Sequence, residues 1–214
     1  MELVKSLIDL FLHLDSHLAE LIARFGPWTY SILFLIVFCE TGLVVTPFLP
    51  GDSLLFAAGT FAGIGALHPG VLGLSLFAAS VAGDSCNYWL GRYIGPRAFG
   101  GSIRFLKLEH LNRTRDFYAR HGAKTVILAR FLPILRTFAP FVAGVGEMAY
   151  GRFLGFSVVG TAAWVGLFVG AGFFFGNLPA VRQHFTLVVM GVIAVSLLPM
   201  ALEVGRSWLA KRQK

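Results

Sequence analysis

Four charged residues stand inside apolar sequence, where a charge needs a reason. Glu40 and Asp52 lie within FCETGLVVTPFLPGDSLLF (38–56), and Arg130 and Arg136 within ARFLPILRTFAPFVAG (129–144). Each stretch also holds two prolines, Pro47 and Pro50 in the first, Pro133 and Pro140 in the second. A charge at the centre of a bilayer costs about 2.5–3.5 kcal/mol, so four isolated charges would cost roughly 10–14 kcal/mol. That is comparable with a typical net stability of about 5–15 kcal/mol. The four must therefore be paired, wet or neutralised. Two chemistries fit. Two acids and two bases can form a purely structural ion-pair cluster. Alternatively, Arg130 and Arg136 offer planar donor forks suited to a phosphate, while Glu40 and Asp52 exchange protons, since a carboxylate withdrawn from water is easier to protonate. A proton would then weaken an acid–arginine pair and free the arginine for substrate.

The elements that must position these residues are membrane helices. The 214 residues are 56% hydrophobic and 14% charged, against roughly 25% charged in soluble domains, and mean hydropathy is +0.73. Apolar runs without period-2 alternation favour helices over an outer-membrane barrel. The expected fold is an all-α polytopic membrane protein in a single membrane domain, 1–214. The net charge of +7 falls mainly between and after the apolar runs. It points to orientation and anionic phospholipid rather than nucleic acid.

Residues 1–27 read as an amphipathic helix on the membrane surface, with Leu3, Leu7, Leu10, Leu14, Leu18 and Leu21 on one face. Glu2, Lys5, Asp9 and Asp15 interrupt any signal-peptide core. Gly26-Pro27 is expected to end the helix. Over 28–67, two membrane helices joined by a tight turn would be the simplest arrangement. The return leg, about 15 residues against the roughly 20 a span needs, favours a re-entrant hairpin. Residues 71–93 can span. The basic segment 98–124 reads as a cytoplasmic interfacial helix by the positive-inside rule. Residues 123–148 form either one proline-kinked span or a second re-entrant hairpin, with Pro133, Pro140 and Gly144 as its breakers, as Pro47, Pro50 and Gly51 are in the first. Residues 153–175 and 183–205 read as spans, and 206–214 as a cytoplasmic tail. The two halves then match as an inverted repeat, with hairpins entering from opposite faces, which is a sequence pointer to a transporter binding site.

Asp84 is a fifth intramembrane charge, in GDSCNYWLG (83–91) with Tyr88. It either joins the same cavity or hydrogen-bonds helix ends. Cys39 and Cys86 read as buried small side chains, neither disulfide nor ligand. The six histidines make no metal spacing, and no cofactor is expected.

Together these motifs resemble the DedA family of the VTT-domain superfamily. Glu40-Thr41 with Pro47, Pro50, Gly51 and Asp52 resembles its first signature. Gly83-Asp84 with Tyr88 and Gly91 resembles its G-D-x3-Y-x2-G motif. Arg130-Phe131, Pro133, Arg136, Pro140 and Ala143-Gly144 resemble its second signature, with Met148, Phe153, Gly160 and Trp164 fitting the tail. Ser157 stands where the family usually has Asn. The resemblance implies a multi-pass protein of the bacterial inner membrane with two opposed re-entrant hairpins. It implies movement of a lipid phosphate, undecaprenyl phosphate, recycled for envelope synthesis, with dependence on the proton motive force. It also implies that Glu40, Asp52, Arg130 and Arg136 are essential.

Four functions compete: a proton-coupled lipid-phosphate flippase, favoured; a passive phospholipid scramblase; a lipid phosphatase, disfavoured because no histidine lies near the arginines in sequence; and a non-transporting envelope protein. The lipid tail, transport direction and oligomeric state stay open, a homo-oligomer included.

Overall fold

The computed structural model describes residues 14–43, 51–97, 126–127, 129–130, 132–192 and 194. Every element among them is helical: α1 (Leu14–Phe25), a 3₁₀ turn (Gly26–Trp28), α2 (Thr29–Gly42), α3 (Gly51–Gly63), α4 (Pro69–Arg97), α5 (Pro133–Val145), α6 (Tyr150–Phe175) and α7 (Pro179–Gln183). Further helical turns cover 185–192. Residues 1–13, Pro47, Pro50, the basic segment 98–124 and the tail 206–214 lie outside the described residues, as does 195–205 of the expected last span.

Among the described residues, three runs are long and apolar enough to cross a membrane: Ser16–Gly42, Pro69–Gly95 and Tyr150–Phe175. The first of these was not expected as one piece. Gly26 does end α1, with a left-handed φ of +50° that glycine adopts freely. The chain then re-enters helix through a single 3₁₀ turn. The Thr29 amide bonds back to the carbonyls of Gly26 and Pro27, and its hydroxyl to that of Leu21 at 3.4 Å. Residues 14–25 therefore lead straight into α2. By contrast α3 and α5 have 13 residues each, about 20 Å, well short of a hydrocarbon core of about 30 Å.

The fold divides into two compact units. The first draws on 1–29, 50–72 and 167–214. Here α1 packs against α3, and α3 lies backbone to backbone against the end of α6. A methyl group at Gly59 would strike the backbone of Val169, one at Gly63 the Phe173 carbonyl, and one at Gly172 the Phe56 carbonyl. Asn177 donates from Nδ2 to the Thr60 carbonyl at 3.1 Å.

The second unit draws on 30–49 and 73–166. There α4 meets α5 along another line of small residues. A methyl at Gly91 would strike the Phe141 carbonyl, and one at Gly144 the Tyr88 carbonyl. The Tyr88 ring stacks on Phe153, with centroids 4.7 Å apart, beside buried Met148, Ala143 and Val126.

The distribution of polarity is inverted relative to a water-soluble protein. Leu35, Leu74, Val159, Leu167, Phe174 and Leu187 are more than half exposed, while Glu40, Asp52, Asp84, Asn87, Arg130 and Arg136 are buried. Apolar side chains facing outward suit lipid, and buried charges then require partners.

Two expectations need correction. Pro140 and Gly144 do not break a hairpin; both lie within α5. The helix is interrupted earlier, by a turn at Arg130 and a bend at Leu132, and Pro133 opens α5 where its missing N–H costs nothing. Nor are the cysteines buried: Cys39 is intermediate and Cys86 exposed.

Candidate functional site

The second unit gathers four of the five intramembrane charges. Glu40 sits near the C-terminal end of α2, Asp84 in mid-α4, Arg130 in the break before α5, and Arg136 in the first turn of α5. All are nearly inaccessible: Glu40 and Asp84 are 1% exposed, Arg130 3% and Arg136 5%. They form two ion pairs. Arg136 donates from Nη2 to Glu40 Oε1. Arg130 donates from Nη1 to Asp84 Oδ2 and from Nη2 to the Ser80 hydroxyl. The Ser157 hydroxyl donates to the same Asp84 Oδ2 at 2.5 Å.

One ring joins the two pairs. Trp164 on α6 is fully buried. Its ring centroid lies 4.8 Å from Cζ of Arg136 and 5.7 Å from Cζ of Arg130. Both distances fall within the range of about 6 Å over which a guanidinium is attracted to an aromatic face. The two forks are thus neighbours, each steadied by its own acid and by a shared indole. Gly160 keeps the approach narrow: a methyl there would lie 3.4 Å from Cδ of Arg130.

The backbone around the arginines is tied down by Asn87. Its Nδ2 donates to the Thr41 carbonyl at 3.2 Å and to the Thr137 carbonyl at 2.6 Å. The first carbonyl belongs to the frayed end of α2, where the ladder runs out of donors. The second is in α5, next to the Arg136 carbonyl that Pro140 leaves without its usual i−4 donor. One buried amide therefore clamps both segments that present Glu40 and Arg136.

Of the residues singled out from sequence, Arg130, Arg136, Glu40 and Asp84 come together here. Asp52 belongs to the other unit, where it is buried in the first turn of α3. Tyr88 serves elsewhere than the charge cluster. Its hydroxyl donates to the Met148 carbonyl and accepts from Arg92 Nη1 at 2.9 Å, fixing the turn between α5 and α6. Ser80, Asn87, Ser157 and Trp164 were missed as site residues. Their signal was nonetheless present. Ser80, Asp84 and Asn87 recur at i, i+4 and i+7 in an otherwise apolar helix, and so do Ser157, Thr161 and Trp164, which puts each trio on one helical face.

Comparison with known proteins identifies the family. Residues 49–174 match the VTT domain family. The chain is 50% identical to Protein DedA of Escherichia coli K12 over 209 residues, covering 96% of this chain and 95% of that protein. It belongs to the DedA family. An uncharacterized membrane protein of Mycobacterium tuberculosis H37Rv is 41% identical over 191 residues, covering 88% and 84% of the two chains. The E. coli inner membrane protein YqjA is 31% identical over 157 residues, covering 72% and 71%. No solved structure matches the chain. This DedA-family chain is accordingly a multi-pass helical membrane protein, and its relatives' names specify no substrate.

Proposed function

We propose that this DedA-family protein carries a lipid phosphate across the bacterial inner membrane and couples the movement to protons. The observation that carries the reading is the pair of buried guanidinium forks, Arg130 and Arg136, side by side over Trp164, each held by an acid. A phosphate presents several acceptor oxygens and suits two forks better than one. Each arginine is already engaged, so substrate must displace a carboxylate. Protonating that carboxylate makes the displacement favourable. Glu40 is the acid that holds Arg136, and Asp52 in the first turn of α3 is a second proton site. Undecaprenyl phosphate, recycled for envelope synthesis, is the proposed cargo, with anionic phospholipids as the surrounding partners.

The proposed architecture is two opposed re-entrant hairpins in an inverted repeat. The two 13-residue helices support it, since each is too short to span and each has a proline at or just before its first residue in the sequence. The inner membrane is supported by the name of YqjA. No histidine is among the described partners of the charge cluster, so a transporter is a better reading than a phosphatase.

Purified protein in liposomes carrying a long-chain lipid phosphate tests this. Translocation should follow an imposed pH gradient and fall to the protein-free background in Arg136→Ala. Translocation that survives collapse of the gradient would favour a passive scramblase. Function retained in the double exchange Glu40→Arg with Arg136→Glu would make the charges structural.

A further inference from the structure

The lipid-phosphate reading leaves Asp84 without a task, yet Asp84 is the partner of Arg130. Its carboxylate is unevenly used. Oδ2 accepts from both Arg130 and Ser157, whereas Oδ1 is buried and accepts no hydrogen bond from any described residue. One turn further along the same face of α4, Asn87 Oδ1 is likewise buried without a described donor, while its Nδ2 donates to Thr41 and Thr137. Buried acceptors in this state are rare and call for an explanation. A proton on Asp84 is one that the local chemistry can accommodate. It would sit on an oxygen with no competing donor, with a second acceptor lacking a donor on the same helical face.

The charged groups around Asp84 come from each neighbouring segment. Arg130 approaches from the break before α5, and Arg136 and Glu40 form the adjoining pair from α5 and α2. From α6 come only the Ser157 hydroxyl and the Trp164 ring near the arginines. With both acids ionised, neither fork is available. With one acid neutral, one fork is freed and the other stays occupied.

We propose that Asp84 is a second proton-accepting gate, acting on Arg130 as Glu40 acts on Arg136, so that both forks are released together only when both acids are neutral. Such a site selects a doubly charged phosphate monoester over a singly charged diester, because only the monoester replaces both carboxylate charges. This deepens the lipid-phosphate reading and rests on it. No covalent step is involved: each carboxylate gains a proton, and the guanidinium it held turns to a phosphate oxygen.

The test is calorimetric titration of the detergent-solubilised full chain at pH 8 with an alkyl phosphate monoester, a dialkyl phosphate serving as the diester control. At that pH the monoester is a dianion, its second ionisation lying near pH 6. Running the titration in buffers of different ionisation enthalpy counts the protons taken up on binding. In Asp84→Asn the uptake per monoester should drop by about one proton relative to wild type, and by about two when Glu40→Gln is added. The monoester-over-diester preference should persist in both, since the two guanidinium charges remain and still call for a dianion. Ser157→Ala provides a milder variant that leaves the ion pair in place. With Asp84 intact, it should keep the wild-type proton count per monoester. Wild-type binding with unchanged proton uptake in Asp84→Asn would overturn the assignment of Asp84 and leave the lipid-phosphate site standing. A wild-type protein that binds neither ester would overturn both.

Discussion

Helices α3 and α5 are equal in length and opposite in character. Both have 13 residues, and each has a proline at or just before its first residue in the sequence. Yet α3 is buried along nearly its whole surface, Gly51 to Thr60 without exception, whereas α5 exposes Leu135 and Phe138 and turns Arg136 and Thr137 inward. The first is held by backbone contact with α6 through Gly59, Gly63 and Gly172. The second is held by glycine contact with α4 and also by polar bonds, those of Arg136 to Glu40 and of the Thr137 carbonyl to Asn87. Half-helices of one length can thus serve as a packed wedge or as a mount for charge. What separates them is that α5 turns two successive polar residues, Arg136 and Thr137, into the charge cluster, whereas the middle of α3 buries Leu54, Leu55, Phe56, Ala57, Ala58 and Gly59.

Changes to the charged face of α5 should break function, and changes to the glycine contacts of α3 should break the fold. The largest effect is expected for Arg136→Ala or Arg130→Ala. Translocation should vanish, and the acid left buried without its partner should lower stability by about 3–5 kcal/mol. Lipid transport and thermal unfolding of the same preparations check this. Arg136→Lys should keep the charge but lose the fork and most of the contact with Trp164. It should therefore fold better than the alanine variant while still transporting poorly.

Next comes Gly172→Val, where the added side chain meets the Phe56 carbonyl. Because this is a backbone collision on a helix, it should destabilise by about 1–3 kcal/mol or more. Any protein that does fold should retain proton-dependent binding, which separates the wedge from the charge mount. Asn87→Leu should fall between the two classes. It leaves the Thr41 and Thr137 carbonyls without a side-chain donor, at about 1–3 kcal/mol, and should lower transport through misplaced Glu40 and Arg136. The smallest effect is expected for Gly155→Ala. Nothing lies within 4 Å of the new methyl, and alanine favours helix by up to about 1 kcal/mol. Stability should be unchanged or slightly raised, with transport intact. A loss of transport there would show that α6 must flex.

Much of this could be read from residue types and spacing. The burial cost of four charges in apolar sequence already demanded partners, and the two arginines, Glu40 and Asp84 do meet. Which acid holds which arginine could not be read, because it depends on the depth at which α2 and α4 cross α5, set by contacts such as Gly83 against Thr41 and Gly144 against Tyr88. Pro140 misled for a related reason. A proline is normally a break, but in α5 the helix continues through it, with Asn87 bonding the carbonyl at 137 nearby. Gly26-Pro27 misled in the opposite sense, since a glycine cap followed by a 3₁₀ turn can hand one helix on to the next. Trp164 was visible as a motif position, but its place over both guanidinium groups follows only from where α6 crosses the turn at Arg130.

The central claim is that Arg130 and Arg136 form one phosphate site opened by protons. The most direct measurement is translocation of a long-chain lipid phosphate by the reconstituted full chain, with and without an imposed pH gradient, beside Arg136→Ala. The account predicts a rate that follows the gradient in the wild type and a background rate in the variant. Equal rates with and without the gradient, matched by the variant, would contradict it.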